Sequence, residues 1–433
     1  HGAFVRDLFA ASARYALEKA PELAFDIVSV DRAMEWGYGF RHGPFRQMDR
    51  VGAERVRELL GDPEPELLGR GKGGFYRQDG ARTLYLTFDG GYEPVVEAPG
   101  TLTLEPLRAS GAVREENDEA ALVDLGDGVL LLELRAKMGT IGEGVVGMMG
   151  RACERVERER LAGLVVGHED PRAFSAGANL THMLGAAQRG EWDAIESLIR
   201  NFQNANMRLR GAPFPVVAAP FGLSLAGGAE IVLHSDLVQA HAELYMGLVE
   251  AGVGLLPAAG GTKELLFRFT EDLKPYDGAN PFEAVRRAFG LIAMATTSAS
   301  ALDARRIGFL RERDRISMNR DRLLADARQR VLDLASDFTP PLPRTIEVLG
   351  KRAIGNLRYG IWSLHEAGQI TEHEVRIGEE IAYVLCGGDG LPRQVTEQDI
   401  LDLEREAFMR LVGTERSQER IAHTLKTGKT LRN

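Results

Sequence analysis

The chain has 433 residues, enough for two or three domains, and its 44% apolar and 27% charged content is ordinary for a globular protein. A net charge of −10 gives no electrostatic reason to expect nucleic acid or an anionic membrane surface, although a local basic patch or helix N-termini can still hold a phosphorylated ligand. Cys153 and Cys386 lie far apart and outside any Cys-x-x-Cys, so they are expected as buried reduced thiols of a cytoplasmic protein. The nine scattered histidines include no His-Glu-x-x-His and predict no metal site.

In chain order, residues 1 to 98 read as mostly helical, with helical apolar spacing over Leu8–Lys19 and a second helix from near Val30. The opening, His1 rather than Met, reads like the middle of a helical domain, without a signal segment. Trp36, Tyr38, Phe40 and Phe45, set among glycines, predict a packed aromatic corner. Gly69–Gly74 (GRGKGG) lacks the Lys-Ser/Thr ending of a phosphate loop and is followed by a hairpin pattern turning at Asp79-Gly80.

Residues 99–118 read as a linker, and 119–335 open a new domain with a hairpin turning at Asp127-Gly128. Helix over Val145–Glu159, strand over Leu161–Gly167, an amphipathic helix carrying Ile195, Leu198, Ile199 and Phe202, and strand over Pro215–Ala219 then alternate, which indicates an α/β architecture. Ser300 is predicted to cap a short helix ended by Gly308, and Asn319 to cap a longer one. Residues 336–433 read as a charged helical tail.

Gly211–Ala229 carries no charge and approaches transmembrane length, but Pro213, Pro215, Pro220 and its glycines favour a buried strand followed by a turn. Glu230 stands just behind Gly227-Gly228, and Glu250 stands between Leu248-Val249 and Ala251-Gly252. The helix start should favour the charged form of Glu230, whereas apolar surroundings should raise the pKa of Glu250, the contrast that acid and base roles need. Gly177, in Phe174–Leu180 (FSAGANL), permits a second tight turn, and amides of the two turns could converge on one oxygen. On the residues alone, both turns can equally be structural, Glu230 an ordinary helix-start charge and Glu250 a solvated loop residue. Gly222–Ala226 is a near miss for a Gly-x-Ser-x-Gly nucleophile elbow, with Ala226 in place of the second glycine.

FSAGANL, PVVAAPFGLSLAGGAE and YMGLVEAGVGLLPAAGGT, in this order, resemble the crotonase (enoyl-CoA hydratase/isomerase) superfamily over about 121–335. The resemblance implies that the Ala178 and Gly227 amides hold a thioester oxygen. It implies that Glu230 activates water and that Glu250 supplies a proton to Cα of a trans-2-enoyl-CoA. It places Ala176 near the CoA adenine and Lys137 at the CoA entrance. Three positions depart from the family pattern: Ala226 replaces a glycine, Asn179 an aspartate and Val249 a proline. Retention of both glutamates favours hydratase over isomerase.

Residues 31–52 and 69–76 resemble the C-terminal helical domain of 3-hydroxyacyl-CoA dehydrogenases, so the chain resembles the C-terminal part of bacterial bifunctional fatty-acid oxidation proteins. The resemblance implies an α+β multidomain chain: a partial helical dehydrogenase-type domain (1–98), a crotonase-like ββα spiral domain (119–335) and the helical tail. It implies an acyl-CoA substrate, no covalently bound cofactor, and NAD only in a dinucleotide-binding domain outside this chain. A homo-oligomer or a β-oxidation partner enzyme is expected, with neither nucleic acid nor membrane insertion. A CoA-thioester isomerase or hydrolase, and a non-catalytic docking segment, are the competing expectations. Acyl-chain preference should depend on pocket walls that include Thr270–Phe282.

Overall fold

A computed structural model describes residues 2–71, 73–80, 82–96, 99–276 and 278–433. Of the segments singled out above, His1, Lys72 of GRGKGG and Asp277 of 270–282 lie outside the described residues. The chain forms two compact units, His1–Pro99 with Thr103–Ala112, and Gly100–Leu102 with Val113–Asn433.

The first unit is helical, with one antiparallel three-stranded sheet whose strands are Tyr76–Asp79, Arg82–Leu86 and Tyr92–Pro94. Local chemistry sets its helix ends. The Asp26 carboxylate accepts from the Ser29 N–H and caps Ile27–Tyr38, which stops at Gly39 in the left-handed region. Leu17, Ile27, Phe45, Met48, Leu68 and Phe75 form its core. Asp31 is buried and accepts the Phe45 and Arg46 N–H groups at 2.8 and 3.0 Å, tying two helices together.

The expected aromatic corner does not form. Phe45 is fully buried, but Trp36, Tyr38 and Phe40 are 56%, 75% and 45% exposed. Helix Ile27–Tyr38 buries Ile27, Val28 and Asp31, and Trp36 lies nine residues beyond Ile27, roughly 180° around the helix. GRGKGG is followed by strand Tyr76–Asp79, not by the helix a phosphate loop requires.

Within 99–118, the span expected as a linker, lie helix Leu104–Ala109 and strand Val113–Glu116. The second unit is built on a seven-stranded sheet ordered Arg315–Ser317, Leu237–His241, Val216–Ala218, Gly163–Gly167, Val129–Leu134, Ala120–Asp124, Val113–Glu116. The last three form an antiparallel meander, and the other neighbours pair parallel. Asp127 (φ 52°) and Gly128 (φ 74°) make the tight turn, and both need the left-handed backbone that Asp-Gly supplies. Strands Val129–Leu134 and Gly163–Gly167 are buried throughout, as parallel strands covered on both faces should be.

A smaller parallel sheet is ordered Leu244–Gly247, Gly222–Leu225, Ala173–Ser175. The charge-free run therefore holds two short strands in two different sheets, not the single strand expected: Val216–Ala218 joins the large sheet and Gly222–Leu225 the small one. Pro220 and Phe221 lie at the crossing. No described helix is long and apolar enough to cross a membrane.

Ser300 accepts the Asp303 N–H and Gly308 (φ 100°) ends the helix Ala301–Ile307. Asn319 caps only the short turn Arg320–Arg322, after which Leu323–Ala335 runs on. Residues 336–433 pack within the second unit as helices Lys351–Glu366, Glu372–Leu385, Glu397–Val412 and Glu415–Thr427. They also hold an antiparallel pair, Thr345–Val348 with Arg393–Thr396.

Candidate functional site

The two glycine turns meet. Gly177 sits at φ 95°, and a Cβ placed on it would lie 2.8 Å from the Ala226 Cβ and 3.5 Å from the Gly227 nitrogen. The Ile141 N–H donates to the Gly177 carbonyl (2.9 Å) and the Asn179 N–H to the Ile141 carbonyl (3.1 Å). This parallel bridge engages both neighbours of Ala178, so the Ala178 amide itself points away from Ile141. Gly227 opens the helix Gly227–Leu233, where the first amides have no helical acceptor. Among the described residues, neither the Ala178 nor the Gly227 N–H donates a hydrogen bond.

Close packing fixes the glycines. A Cβ on Gly228 would lie 2.4 Å from the Ser175 Cβ, so the helix start presses directly on the strand that leads into the first turn. Gly228→Ala is expected to destabilise the chain by about 1–3 kcal/mol, measured as a lower urea midpoint. An unchanged midpoint would show that the helix start does not press on that strand. Ala226 stands where the family pattern has glycine and adopts φ 51°, a conformation that costs a side-chain-bearing residue of order 1–3 kcal/mol.

Glu230, in the first turn of helix Gly227–Leu233, is buried and its Oε1 accepts the Ala259 and Gly261 N–H groups, both at 2.8 Å. Burial raises its pKa to about 7, against the opposing pull of the Gly261 and Ala259 amides and of Lys263. The expectation that the helix start would keep Glu230 readily ionised is thus overturned: loss of water outweighs the helix end. Glu250 opens the short 3₁₀ turn Glu250–Val253. Its Oε2 is buried and has no hydrogen-bond partner among the described residues. Burial first, and then the charge of Glu230, raise its pKa well above the usual carboxylate range.

A third carboxylate, not singled out by any local motif, joins these two. Glu404, on helix Glu397–Val412, is fully buried, and it accepts the Gly260 N–H at 2.9 Å and the Lys263 N–H at 2.6 Å. The signal was present: Glu404 falls on the helical stripe of Ile400, Leu401, Phe408 and Leu411, where a charged residue is out of place.

Ala176, exposed after strand Ala173–Ser175, donates its N–H to the Met138 carbonyl at 2.9 Å. Met138 lies in the turn Lys137–Gly139, so Ala176 adjoins the turn that carries Lys137. Ser224 is buried, and among the described residues its hydroxyl reaches only the Phe221 carbonyl, at 3.5 Å, with no histidine partner as a nucleophile elbow requires. A cavity of about 1310 Å³ lies elsewhere: Arg210, Arg268, Arg311 and Arg344 line it, and none of Lys137, Ala176, Ala178, Gly227, Glu230 and Glu250 borders it. Proximity of the two turns and the carboxylates therefore marks the site.

Residues 126–269 match the sequence profile of the enoyl-CoA hydratase/isomerase family. They carry a crotonase-type domain. An enoyl-CoA hydratase of Rhodobacter sphaeroides 2.4.1 superposes with a TM-score of 0.52 at 18% identity, over 73% of this chain and 92% of that one. Over 429 residues the chain is 38% identical to a probable 3-hydroxyacyl-CoA dehydrogenase of Bacillus subtilis, covering 97% of this chain and 53% of that protein. It is 22% identical over 418 residues to a putative fatty acid oxidation complex trifunctional enzyme of Rickettsia felis, covering 95% and 51%. The chain thus spans about half the length of these curated relatives. The matched part of the crotonase domain includes Lys137, Ala176, Ala178, Gly227, Glu230 and Glu250; Glu404 lies outside it.

Proposed function

We propose that the second unit hydrates trans-2-enoyl-CoA thioesters in fatty-acid β-oxidation. The observation that carries this reading is the contact between two turns whose Ala178 and Gly227 amides lack acceptors among the described residues, beside the buried Glu230 and the half-buried Glu250 with its enclosed Oε2. The two amides receive the thioester oxygen and stabilise the charge that develops on it during addition. Glu230, poised near neutrality, takes a proton from water as its oxygen bonds to Cβ. Glu250, held protonated by burial and by Glu230, delivers a proton to Cα. The net change is addition of H₂O across the double bond; passage of a proton from Glu230 to Glu250 resets the pair. Ala176 and Lys137 border the CoA moiety.

The longer protein represented by this chain would also oxidise 3-hydroxyacyl-CoA with NAD bound in a further domain, and would work in the cytoplasm as a homo-oligomer or beside a β-oxidation partner. The probable 3-hydroxyacyl-CoA dehydrogenase and the putative fatty acid oxidation complex trifunctional enzyme, each matched along nearly the whole chain, support this reading.

The test is to supply the chain with crotonyl-CoA and, separately, with a 3-enoyl-CoA. Loss of the conjugated enoyl-thioester absorbance with formation of 3-hydroxyacyl-CoA is the expected result. Double-bond migration or free CoA as the main product would instead assign an isomerase or a hydrolase. Thioester binding without turnover would favour a docking role.

A further inference from the structure

The turn Ala258–Lys263 is gripped from three sides. Glu230 accepts the N–H groups of Ala259 and Gly261. From helix Trp192–Arg210, Gln203 donates to the Ala258 carbonyl at 2.7 Å and Asn206 to the Ala259 carbonyl at 2.9 Å. From the tail, Glu404 accepts the N–H groups of Gly260 and Lys263. Gly260 is the N-cap of helix Gly261–Leu273, has no side chain to cap it, and sits at φ 102°. Glu404 thus supplies, from another helix, the acceptor that an N-cap side chain ordinarily provides.

The neighbouring residues complete the grip. Arg405 donates to the Gln203 side-chain oxygen at 2.9 Å, and Gln203 also donates to the Leu401 carbonyl at 2.8 Å, so the same tail helix braces the second clamp. The next helix braces the Glu250 turn: Ser417 donates to the Gly254 carbonyl at 2.5 Å, with His373 Nε2 2.9 Å from its hydroxyl.

We infer that Glu404 is a positioning residue for the acid/base pair: by holding the Gly260 and Lys263 amides it fixes the turn whose Ala259 and Gly261 amides seat the Glu230 carboxylate. This inference rests on the hydratase reading for its kinetic consequence. A carboxylate suits the place because both of its oxygens face N–H donors. Glutamine would turn an NH₂ toward one of those donors, losing one bond and loosening the turn. Aspartate keeps both acceptors but reaches less far.

The experiment compares the full chain with Glu404→Gln and Glu404→Asp. It measures kcat and KM for crotonyl-CoA hydration, the urea midpoint, and the ¹³C-carboxyl NMR titration of Glu230, assigned through Glu230→Gln. Glu404→Gln is expected to lower kcat on the order of ten- to hundredfold with KM little changed, and to displace the Glu230 titration. Glu404→Asp should recover part of both. An unmoved Glu230 titration in folded Glu404→Gln overturns the inference, as does full kcat per folded molecule. If Glu404→Gln does not fold, the titration and kcat of Glu404→Asp decide in the same way. A chain that hydrates nothing would sink the functional reading, while the titration would still judge Glu404.

Discussion

Glu230→Gln is expected to lower kcat for enoyl-CoA hydration by about 10²–10⁴-fold, the range for loss of a positioned general base, with a much smaller change in KM. Glutamine keeps the size of the side chain and can still accept the Ala259 and Gly261 amides through its Oε1. What it cannot do is take a proton. Glu250→Gln should fall in the same range, because the acid that protonates Cα is then lost.

The pH dependence follows from the same burial. With a pKa of about 7, Glu230 is ionised above neutrality and protonated below it. Activity should therefore decline on the acid side of about pH 7, and that limb should disappear in Glu230→Gln. Ionisation of Glu230 in turn raises the Glu250 pKa further, which keeps the proton donor loaded on the alkaline side. There is a stability counterpart. A buried carboxyl whose pKa is raised on folding weakens the fold as pH rises from its unfolded value near 4.5 through about 7. At pH 8 Glu230→Gln is accordingly expected to unfold at no lower urea concentration than the parent. Full turnover by both glutamine variants would sink the catalytic assignment.

Glu264→Ala is expected to cost about 3–5 kcal/mol of stability at pH 7, the largest effect outside the site, because it removes the shared anion of a buried network. Glu264 lies 2.6 Å from Lys263 Nζ, 3.3 Å from Arg268 Nε and 3.5 Å from Arg210 Nε, and it also pairs with Arg344. Glu397, at the start of a tail helix, shares Lys263 at 3.1 Å and Arg344 at 2.5 Å. Truncation leaves cations buried without that partner, a loss that water cannot make good.

The sign of the acid dependence is fixed. Burial alone would raise both carboxyls, but Lys263 and Arg344 outweigh it, leaving Glu264 well below the carboxylate range and Glu397 at about 2. The network's contribution is therefore full above the unfolded value near 4.5 and is lost as pH falls toward about 2. Urea midpoints at pH 7 and near pH 3 should show the gap between parent and variant narrowing with acid. A gap of under about 1 kcal/mol at pH 7, the size for an exposed pair, would mean that the network carries little.

Legibility in the sequence tracked distance along the chain. The Asp127-Gly128 turn and the Ser300–Gly308 helix are written in neighbouring residues, and the structure realises both. The two glycine turns were legible for the same reason: close backbone approach admits little but glycine, and those residues stand within the motifs themselves. Their contact rests on a Gly177–Ala226 approach that no local pattern states.

Elsewhere tertiary context overrode the local signal. The helix start beside Glu230 pointed toward an ordinary carboxylate, but full burial reversed the direction. Trp36 and Tyr38 looked like core because they are large and apolar, yet the helix turns Ile27 inward and Trp36 outward. Glu404 is one charge among many in its own helix, and its two partners lie 141 and 144 residues away.

Those separations bear on how the molecule folds. The Glu404 bonds span 141 and 144 residues, the Ser417–Gly254 bond 163 and the Gln203–Leu401 bond 198. Contacts of such high order form only after long loops have closed, and their closure entropy is met before the bonds repay it. A refolding chain is therefore expected to regain helices and local turns first and the geometry around Glu230 last, which stopped-flow circular dichroism followed beside recovery of activity would separate in time.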